Sequence, residues 1–381
     1  MKKIYWRPRA VSRIALTLIG LLSVVGLLLV ENLLVIRERP YHDEKMAAAK
    51  LAEQAMEAIY YARSETGPEI DPSVDPTESG LIGVPISPVT TVSGNLSSKQ
   101  TTINPNFAAV LVDMLKRAGV KEGDTVAVGL SGSFPAINIS VYAAVETLQL
   151  EPIIISSASA SQWGANVPEL LWLDMERILK NENIFPFRSI ATSIGGYEDR
   201  GMGLDEESLA MINAGINRNG LPLIPSVTFE QSVESRMRIY REAARGAPIK
   251  AYVNVGGGAT SVGRTVGKKM FHPGLNMQPP GRVASIDGVM PRFVNEGVPV
   301  IHLIQIHELA ERYGLPIAPL TMPQVGEADV FSGADYNRWL AAAVLLAITV
   351  SLYLFIRSDI GFRLLQTGAR RKEIGHPEPM V

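Results

Sequence analysis

Residues 126–136 read VAVGLSGSFPA, and a pattern typical of a helix, AINISVYAAVETLQL, follows directly. An apolar run that passes through a Ser/Gly turn into a helix is typical of a buried strand in a parallel α/β sheet. In such sheets ligands bind beyond the carboxyl ends of the strands. This stretch therefore predicts a fold class and marks the SGSF loop as a candidate site.

The same alternation of short apolar strands and amphipathic helices extends on both sides of this stretch. Before it, FAAVLVDMLKRAGV predicts a helix that ends at Gly119. After it, further helices are predicted in NVPELLWLDMERILK, DEESLAMINAGINR, TFEQSVESRMRIYREAA and HELAERYG, and strands in EPIIISS, RSIATSI, IKAYVNV, RVASI and VPVIHLI. Residues 105–325 are therefore expected to form an α/β domain with a mostly parallel sheet and flanking helices.

Two segments precede this domain. Residues 37–65 are rich in Ala, Glu and Lys with apolar residues at helical spacing, which predicts a juxtamembrane helix. Residues 66–104 contain several prolines and predict an irregular connection, part of which packs on the α/β domain because it is rich in Ile, Leu and Val.

Two uncharged apolar runs lie near the chain ends: Ile14–Val30, which Leu33–Ile36 extend, and Trp339–Ile356. Each is about as long as the roughly 30 Å hydrocarbon core of a membrane. A cleaved signal peptide is the alternative for the first run, but no small-residue cleavage pattern follows it. A buried core helix is the alternative for the second. We expect transmembrane helices at 14–36 and 339–356.

The flanking charges predict the orientation. Residues 1–13 and 357–381 are short and carry five basic residues each, so both tails are expected in the cytoplasm. The α/β domain is then expected on the extracytoplasmic side of the membrane. Nucleotide cofactors are scarce outside the cytoplasm, and we predict no cofactor.

The composition excludes several classes of function. The chain has no cysteine, which rules out disulfides, thiolate nucleophiles and Cys-ligated metals. Its formal net charge is −2, which gives no indication of a nucleic-acid partner. HELAE at 307–311 lacks the second histidine of a zinc-binding helix, and we predict no metal.

Three loops of small polar residues follow successive predicted strands and form the candidate ligand-binding edge. Hydroxyl groups and backbone N–H groups of this kind bind carboxylates or phosphates without a cofactor, although helix caps and tight turns use the same residues. The candidate ligand-binding residues in these loops are Ser131, Gly132, Ser133, Ser157, Ser159, Ser161, Gly256, Gly257, Gly258, Thr260 and Ser261.

A serine nucleophile is the second interpretation of the SGSF loop. The sequence Gly129-Leu130-Ser131-Gly132-Ser133 has Ser where a nucleophile elbow has its last Gly. A serine hydrolase would use Ser131 or Ser133, and His272 is the best-placed of the five histidines to act as its base.

A basic stretch surrounds the glycine-rich loop GGGATSVGRTVGKKM. Between Arg236 and Arg292 the chain has ten basic and two acidic residues, a formal charge of +10 − 2 = +8. Such a stretch is often only a solvated face, but it also suits a polyanion or an anionic lipid surface. We therefore add Arg264, Lys268 and Lys269 to the candidate ligand-binding residues.

The motifs GLSGSFPA, SASASQWGAN, SIGGYEDRG and VNVGGGATSVG, placed between two apolar spans, resemble the poly-gamma-glutamate system protein family, the PgsW-like group. The resemblance implies a role in synthesis and export of poly-γ-glutamate, with a cytoplasmic amide ligase and a small integral-membrane protein as partners. The resemblance does not assign a catalytic role to any residue of this sequence.

Three hypotheses for the function follow. The first is a non-enzymatic membrane component of capsule-like polymer synthesis or export, whose extracytoplasmic domain binds or guides the polyanion poly-γ-glutamate. The second is an extracytoplasmic serine hydrolase or transferase that trims or attaches the polymer. The third is a solute-binding or sensory membrane protein. A lysine or histidine beside the serines favours catalysis, whereas surrounding cations and N–H groups favour binding.

Overall fold

The computed structural model describes residues 13–281 and 283–358. The helices are α1 (Arg13–Asn32), α2 (His42–Glu65), α3 (Leu96–Thr102), α4 (Phe107–Arg117), α5 (Pro135–Thr147), α6 (Trp172–Asn181), α7 (Glu206–Arg218), α8 (Phe229–Ala243), α9 (Ala259–Val262), α10 (Arg264–Lys268), α11 (Val289–Asn295), α12 (Ile306–Arg312) and α13 (Arg338–Ser358). The strands are β1 (Leu34–Glu38), β2 (Thr90–Val92), β3 (Thr125–Ser131), β4 (Glu151–Ser157), β5 (Ala160–Ser161), β6 (Asn166–Val167), β7 (Leu170–Leu171), β8 (Ala191–Ser193), β9 (Ile249–Val255), β10 (Gly274–Asn276), β11 (Val300–Leu303) and β12 (Ser332–Tyr336).

The chain divides into two units. One consists of the two ends of the chain, up to Arg37 and from Gly333, and the other is Glu38–Ser332.

The larger unit is built on a six-stranded sheet in the order β10-β11-β9-β3-β4-β8. β11, β9, β3, β4 and β8 are parallel, and the edge strand β10 is antiparallel to β11. The prediction of an α/β fold with a mostly parallel sheet is therefore confirmed.

Alternating residues of β3 enter two separate cores, as the two-residue period of a strand requires. Val126, Val128 and Leu130 pack in the core that contains α2, α4, α5 and α6. Ala127 packs in the core on the opposite face, with residues of α8 and α11. Helices therefore cover both faces of the sheet, which explains why its strands are almost uniformly apolar.

The helix of residues 42–65 belongs to the α/β core. Ala48, Ala52, Ala55 and Ile59 are fully buried in the core with α4 and α5. The small alanine side chains allow α2 to lie close to its neighbours. Residues 42–65 are helical, as expected, and this helix packs within the larger unit.

Three local predictions differ from the structure. Residues 283–285 of RVASI form a 3₁₀ turn, not a strand. In NVPELLW, β6 and β7 form a short antiparallel pair, and the helix begins only at Trp172. The connection at 66–104 contains β2 and α3, and its Leu81, Ile82 and Val89 are buried, as its apolar content suggested.

The smaller unit consists of α1, α13 and the paired strands β1 and β12. α1 ends at Asn32, and Leu34–Glu38 form β1, so the predicted helical span does not continue to residue 36. Among the described residues, one helix, Arg338–Phe355, is long and apolar enough to cross a membrane, while Leu16–Asn32 is a shorter apolar helix. A Cβ at Gly26 would lie 2.4 Å from Val344 Cγ1, so the two helices approach closely there.

Candidate functional site

The candidate site lies at the carboxyl edge of the sheet between β3 and β9, at the topological switch point where such sheets form their ligand crevice, and we call this position the crevice. The chain leaves β3 through α5 towards β4, and it leaves β9 in the opposite direction towards β11. Connections that diverge from neighbouring parallel strands leave an opening between them, and ligands of open α/β sheets bind at this position.

Three serines lie side by side at this edge. Ser131 on β3 pairs in register with Ser157 on β4, and Ser157 pairs with Ser193 on β8. Ser131 and Ser157 were predicted as ligand-binding residues, and the structure brings them together. Ser193 was missed, because its strand is only three residues long and its pattern was ambiguous.

The loops after β3 and β4 are packed tightly against each other. A Cβ at Gly132 would lie 2.8 Å from the carbonyl oxygen of Ser159, and a Cβ at Gly164 would lie 2.8 Å from Ser133 Cα. The Ser161 N–H donates to Ser133 Oγ at 3.0 Å. The buried Ser159 hydroxyl has no hydrogen-bond partner in the described part of the chain. Side chains larger than hydrogen at Gly132 or Gly164 would separate the loops.

On the β9 side, glycines form the wall of the crevice. Gly256 adopts φ +86°, which favours glycine, and a Cβ there would lie 3.3 Å from Ser131 Cβ. A Cβ at Gly257 would lie 3.2 Å from Cε and 3.4 Å from Nζ of Lys268. The Lys268 amine therefore lies over the glycine loop, and none of the carboxylates that the structure describes pairs with it.

A buried polar network supports the β9 loop from below. Asn254 Nδ2 donates to the Gly256 carbonyl at 2.7 Å and to His302 Nδ1 at 3.0 Å. Asn254 Oδ1 accepts from the hydroxyl of Ser261, which also contacts the Tyr252 hydroxyl at 2.9 Å. Ser261, a predicted ligand-binding residue, is thus engaged in holding the loop.

His302 is fully buried in this network, as its position in an apolar strand suggested. Burial, together with the charge of Lys268, lowers the pKa of His302 to about 4. The ring is therefore neutral at pH 7. Because Nδ1 accepts from Asn254, the ring proton lies on Nε2, which has no partner among the residues described.

Lys99 is a second residue at this edge that the sequence did not predict. It lies on α3, in the segment predicted as an irregular connection, and only 3% of it is exposed. Its amine donates to the carbonyl of Ser133 and to Ser161 Oγ at 2.9 Å, and it lies 3.6 Å from the centre of the Phe134 ring. Nothing in the local sequence SSKQT distinguishes it from a solvated lysine.

No hydrogen bond joins the side chain of His272, the histidine proposed as a base, to either candidate serine among the described residues. His272 is exposed, and only its backbone is hydrogen-bonded: its N–H donates to Asn276 Oδ1 and its carbonyl accepts from Asn276 Nδ2. Ser131 Oγ accepts the N–H of Ser133 at 3.2 Å, and Ser133 Oγ accepts the N–H of Ser161. The His272 ring is hydrogen-bonded to neither serine.

Most arginines of the basic stretch are paired with carboxylates, several from outside the stretch. Arg264 pairs with Glu198 and Glu230, which reduces its contribution to an anion site. The remaining pairs are Arg236 with Asp199, Arg238 with Glu242, Arg241 with Glu296, and Arg292 with Glu234 and Asp287. The formal charge of +8 therefore overstates the positive electrostatic potential of this stretch. Arg282, another of its basic residues, lies outside the described residues.

Three predicted residues remain to be placed. Gly258 and Lys269 are exposed at the two ends of the α9–α10 segment, and Thr260 is buried with no partner for its hydroxyl among the described side chains. No group of three or more potential metal-ligating side chains occurs within residues 13–281 and 283–358.

No family model and no curated protein matches the chain. Among solved structures, diaminopropionate ammonia lyase of Escherichia coli in its apo form aligns over 87% of this chain and 89% of its own, with 9% identity and a TM-score of 0.17. A TM-score this low carries no argument about fold or activity.

Proposed function

We propose that this protein is a membrane-anchored component of poly-γ-glutamate synthesis or export, and that the crevice between β3 and β9 binds carboxylates of the polymer. The observation that carries the proposal is the Lys268 amine, which lies over Gly257 without a carboxylate partner in the described chain. The polymer itself is chosen on the resemblance of the four loop motifs to the PgsW-like group.

The chemistry of the crevice suits a carboxylate. An ammonium group provides the opposite charge, and the neighbouring Ser131 hydroxyl provides a hydrogen-bond donor. The glycines at 256 and 257 let a ligand approach the backbone closely. The buried network of Asn254 and His302 holds this loop in one conformation, so little ordering is required on binding.

The proposed function includes a location for the protein in a membrane. We place the protein in a bacterial cytoplasmic membrane, with α1 and α13 as spans, both termini in the cytoplasm and the α/β unit outside. The large apolar side chains of both helices are exposed, which suits contact with lipid. A cytoplasmic amide ligase and a small integral-membrane protein are the proposed partners.

Replacing Lys268 by Met should weaken binding of poly-γ-glutamate by the purified full-length protein about fivefold, or about 1 kcal/mol. The expected loss of affinity is modest because Lys268 is exposed and solvent screens its charge. Anisotropy of a fluorescent polymer at low salt measures the affinity, and added salt should reduce it further.

Lys269→Met is the matched control, because it removes the same charge from the adjacent residue, for which no contact with the glycine loop is found. Its affinity should change less than twofold. Equal losses in the two variants would show that only the general charge of this surface matters, and no loss in either would remove the crevice as the binding site.

The orientation can be tested by labelling introduced cysteines, because the chain has none of its own. Glu122→Cys, at an exposed position of the α/β unit, should react with an impermeant maleimide in intact cells. Glu378→Cys, in the C-terminal tail, should react only after permeabilisation. The opposite pattern would contradict the proposed orientation.

A further inference from the structure

We propose that Ser161 is a nucleophile and Lys99 its general base, in an acyl-transfer site beneath the loop that follows β4. The site is separate from the histidine-based hydrolase considered above, because no histidine or lysine side chain in the described part of the chain is hydrogen-bonded to the hydroxyl of Ser131 or Ser133. It adds a chemical step to the binding function proposed for the crevice.

The two side chains are already in contact. Lys99 Nζ lies 2.9 Å from Ser161 Oγ, within the range over which a base removes a proton from a nucleophile. Only 3% of Lys99 and 5% of Ser161 are exposed, so the pair is shielded from bulk water. The flanking Ser133 and Gln162 are half-buried, which places the pair just beneath the surface.

The surroundings of Lys99 are uncharged. Its amine faces the Ser133 carbonyl, the Ser161 hydroxyl and the Phe134 ring. On α12, which packs against α3, the ring of His307 contacts the Ser97 hydroxyl instead. No carboxylate in the described part of the chain pairs with Lys99.

Burial therefore lowers the pKa of Lys99 to about 7. A substantial fraction of the amine is neutral at pH 7 and has a lone pair. The protonated amine donates to both the Ser133 carbonyl and Ser161 Oγ, and once it is neutral it can keep the first bond and turn its lone pair to the Ser161 hydroxyl, whose other contact is the Gln162 carbonyl at 3.4 Å. A lysine used only to tie loops together would be expected to remain protonated and to have an acidic partner.

The hydroxyl of Ser133 lies beside the proposed nucleophile and can take part in the reaction. Its oxygen accepts the Ser161 N–H, which fixes the backbone beside the nucleophile. Its own hydroxyl proton has no acceptor among the residues that the structure describes. This proton is available to an oxyanion that develops on a substrate bound at Ser161.

The reaction balances without a cofactor. Ser161 Oγ forms a bond to the acyl carbon of an amide as its proton passes to Lys99, and the C–N bond then breaks as Lys99 protonates the leaving amine. In the second step Lys99 removes a proton from water, or from an acceptor amine, which attacks the ester carbon; the bond to Ser161 Oγ then breaks as Lys99 returns the proton to that oxygen. An amide flanked by a carboxylate, as in a γ-glutamyl chain, is the substrate class, and this choice rests on the proposed function.

The test uses a fluorophosphonate probe on the full-length protein in detergent, between pH 6 and pH 9. Ser161 Oγ should bond to phosphorus, fluoride should leave and Lys99 should take the proton. We expect peptide mapping to place the label on Ser161. The labelling rate should rise about tenfold per pH unit below the pKa of Lys99 and level off above pH 8.

Three variants complete the test. Ser161→Ala should lose labelling, and Lys99→Arg should reduce it at least a hundredfold at every pH, because a guanidinium stays protonated. Ser98→Ala, on the same short helix as Lys99, should label like the wild type. No labelling of the wild type at any pH, or labelling at another serine, would overturn the proposal.

Failure of this proposal is distinguishable from failure of the binding function. A wild-type protein that binds poly-γ-glutamate but is not labelled would contradict only the acyl-transfer site, whereas a wild-type protein labelled at Ser161 that does not bind the polymer would contradict only the binding function. Equal melting temperatures of wild type and Ser161→Ala would show that a loss of labelling does not come from misfolding. A flat pH profile of wild-type labelling would contradict the role of Lys99 without use of any variant.

Discussion

Replacing Asp199 by Asn will lower the free energy of unfolding by about 3–5 kcal/mol, the largest effect we expect from a single isosteric change. Asp199 is 7% exposed and lies in the loop after β8. Its carboxylate accepts from Ser193 Oγ at 2.6 Å, from Ser232 Oγ at 2.9 Å and from the guanidinium of Arg236. Removing its charge leaves Arg236, which is only 9% exposed, buried without compensation.

Asn is chosen because it tolerates the left-handed backbone of Asp199, where φ is +67°. The loss of stability in Asp199→Asn should therefore come from the removed charge and not from backbone strain. Burial alone would raise the pKa of Asp199, but Arg236 and the two hydroxyls hold it below its ordinary value. This contribution is complete above the unfolded-state pKa of about 4 and is lost as the pH falls below it.

Urea unfolding of the full-length protein in detergent, followed by tryptophan fluorescence, measures the change. Glu242→Gln, which breaks the exposed pair with Arg238, is the control and should cost less than about 1 kcal/mol. The double variant Asp199→Asn with Arg236→Met should recover part of the loss, because no buried charge then remains. A cost below 1 kcal/mol for Asp199→Asn would contradict the importance of this pair.

Glu176 should make the protein less stable as the pH rises from about 4.5 to about 7. It is fully buried on α6, and burial raises its pKa from 4.5 to about 7. Its Oε2 accepts from the Tyr142 hydroxyl and from both the N–H and the hydroxyl of Ser189, which opposes the shift but does not cancel it. Its Oε1 has no partner in the part of the chain described.

The sign follows from proton binding. The folded state holds the Glu176 proton more tightly than the unfolded state, so its stabilising contribution is complete below pH 4.5 and is lost as the pH rises through about 7. A shift of this size corresponds to about 3 kcal/mol. Glu176→Gln cannot titrate, so the variant should lose this part of the pH dependence.

The test compares the free energy of unfolding of the wild type and of Glu176→Gln at pH 5 and at pH 7.5. Trp172 donates to Ser156 Oγ within the same buried cluster, so its fluorescence reports the opening of this region. Glu182→Gln, at the exposed end of α6, should keep the pH dependence of the wild type. If Glu176→Gln and wild type lose stability in parallel between these pH values, another group is responsible.

The sequence by itself determined the fold class, because apolar strands buried on both faces have an unmistakable composition. VAVGL and PIIIS predicted β3 and β4, and TFEQSVESRMRIYREAA predicted α8, whose first turn the Thr228 hydroxyl caps. Local signals of this kind need only neighbours in the chain. The weak strands were less predictable, since β10 and β8 have three residues each and owe their conformation to pairing with longer strands.

The candidate site was predictable only in part. The serine and glycine loops were found because the carboxyl ends of parallel strands meet at one edge. The ion pairs that neutralise the basic stretch could not be predicted in this way. Their carboxylates, which include Glu198, Glu230 and Glu296, lie outside residues 236–292 in the chain. Only the tertiary structure placed Lys99 against Ser161, 62 residues away, in a site where burial rather than sequence context sets its charge.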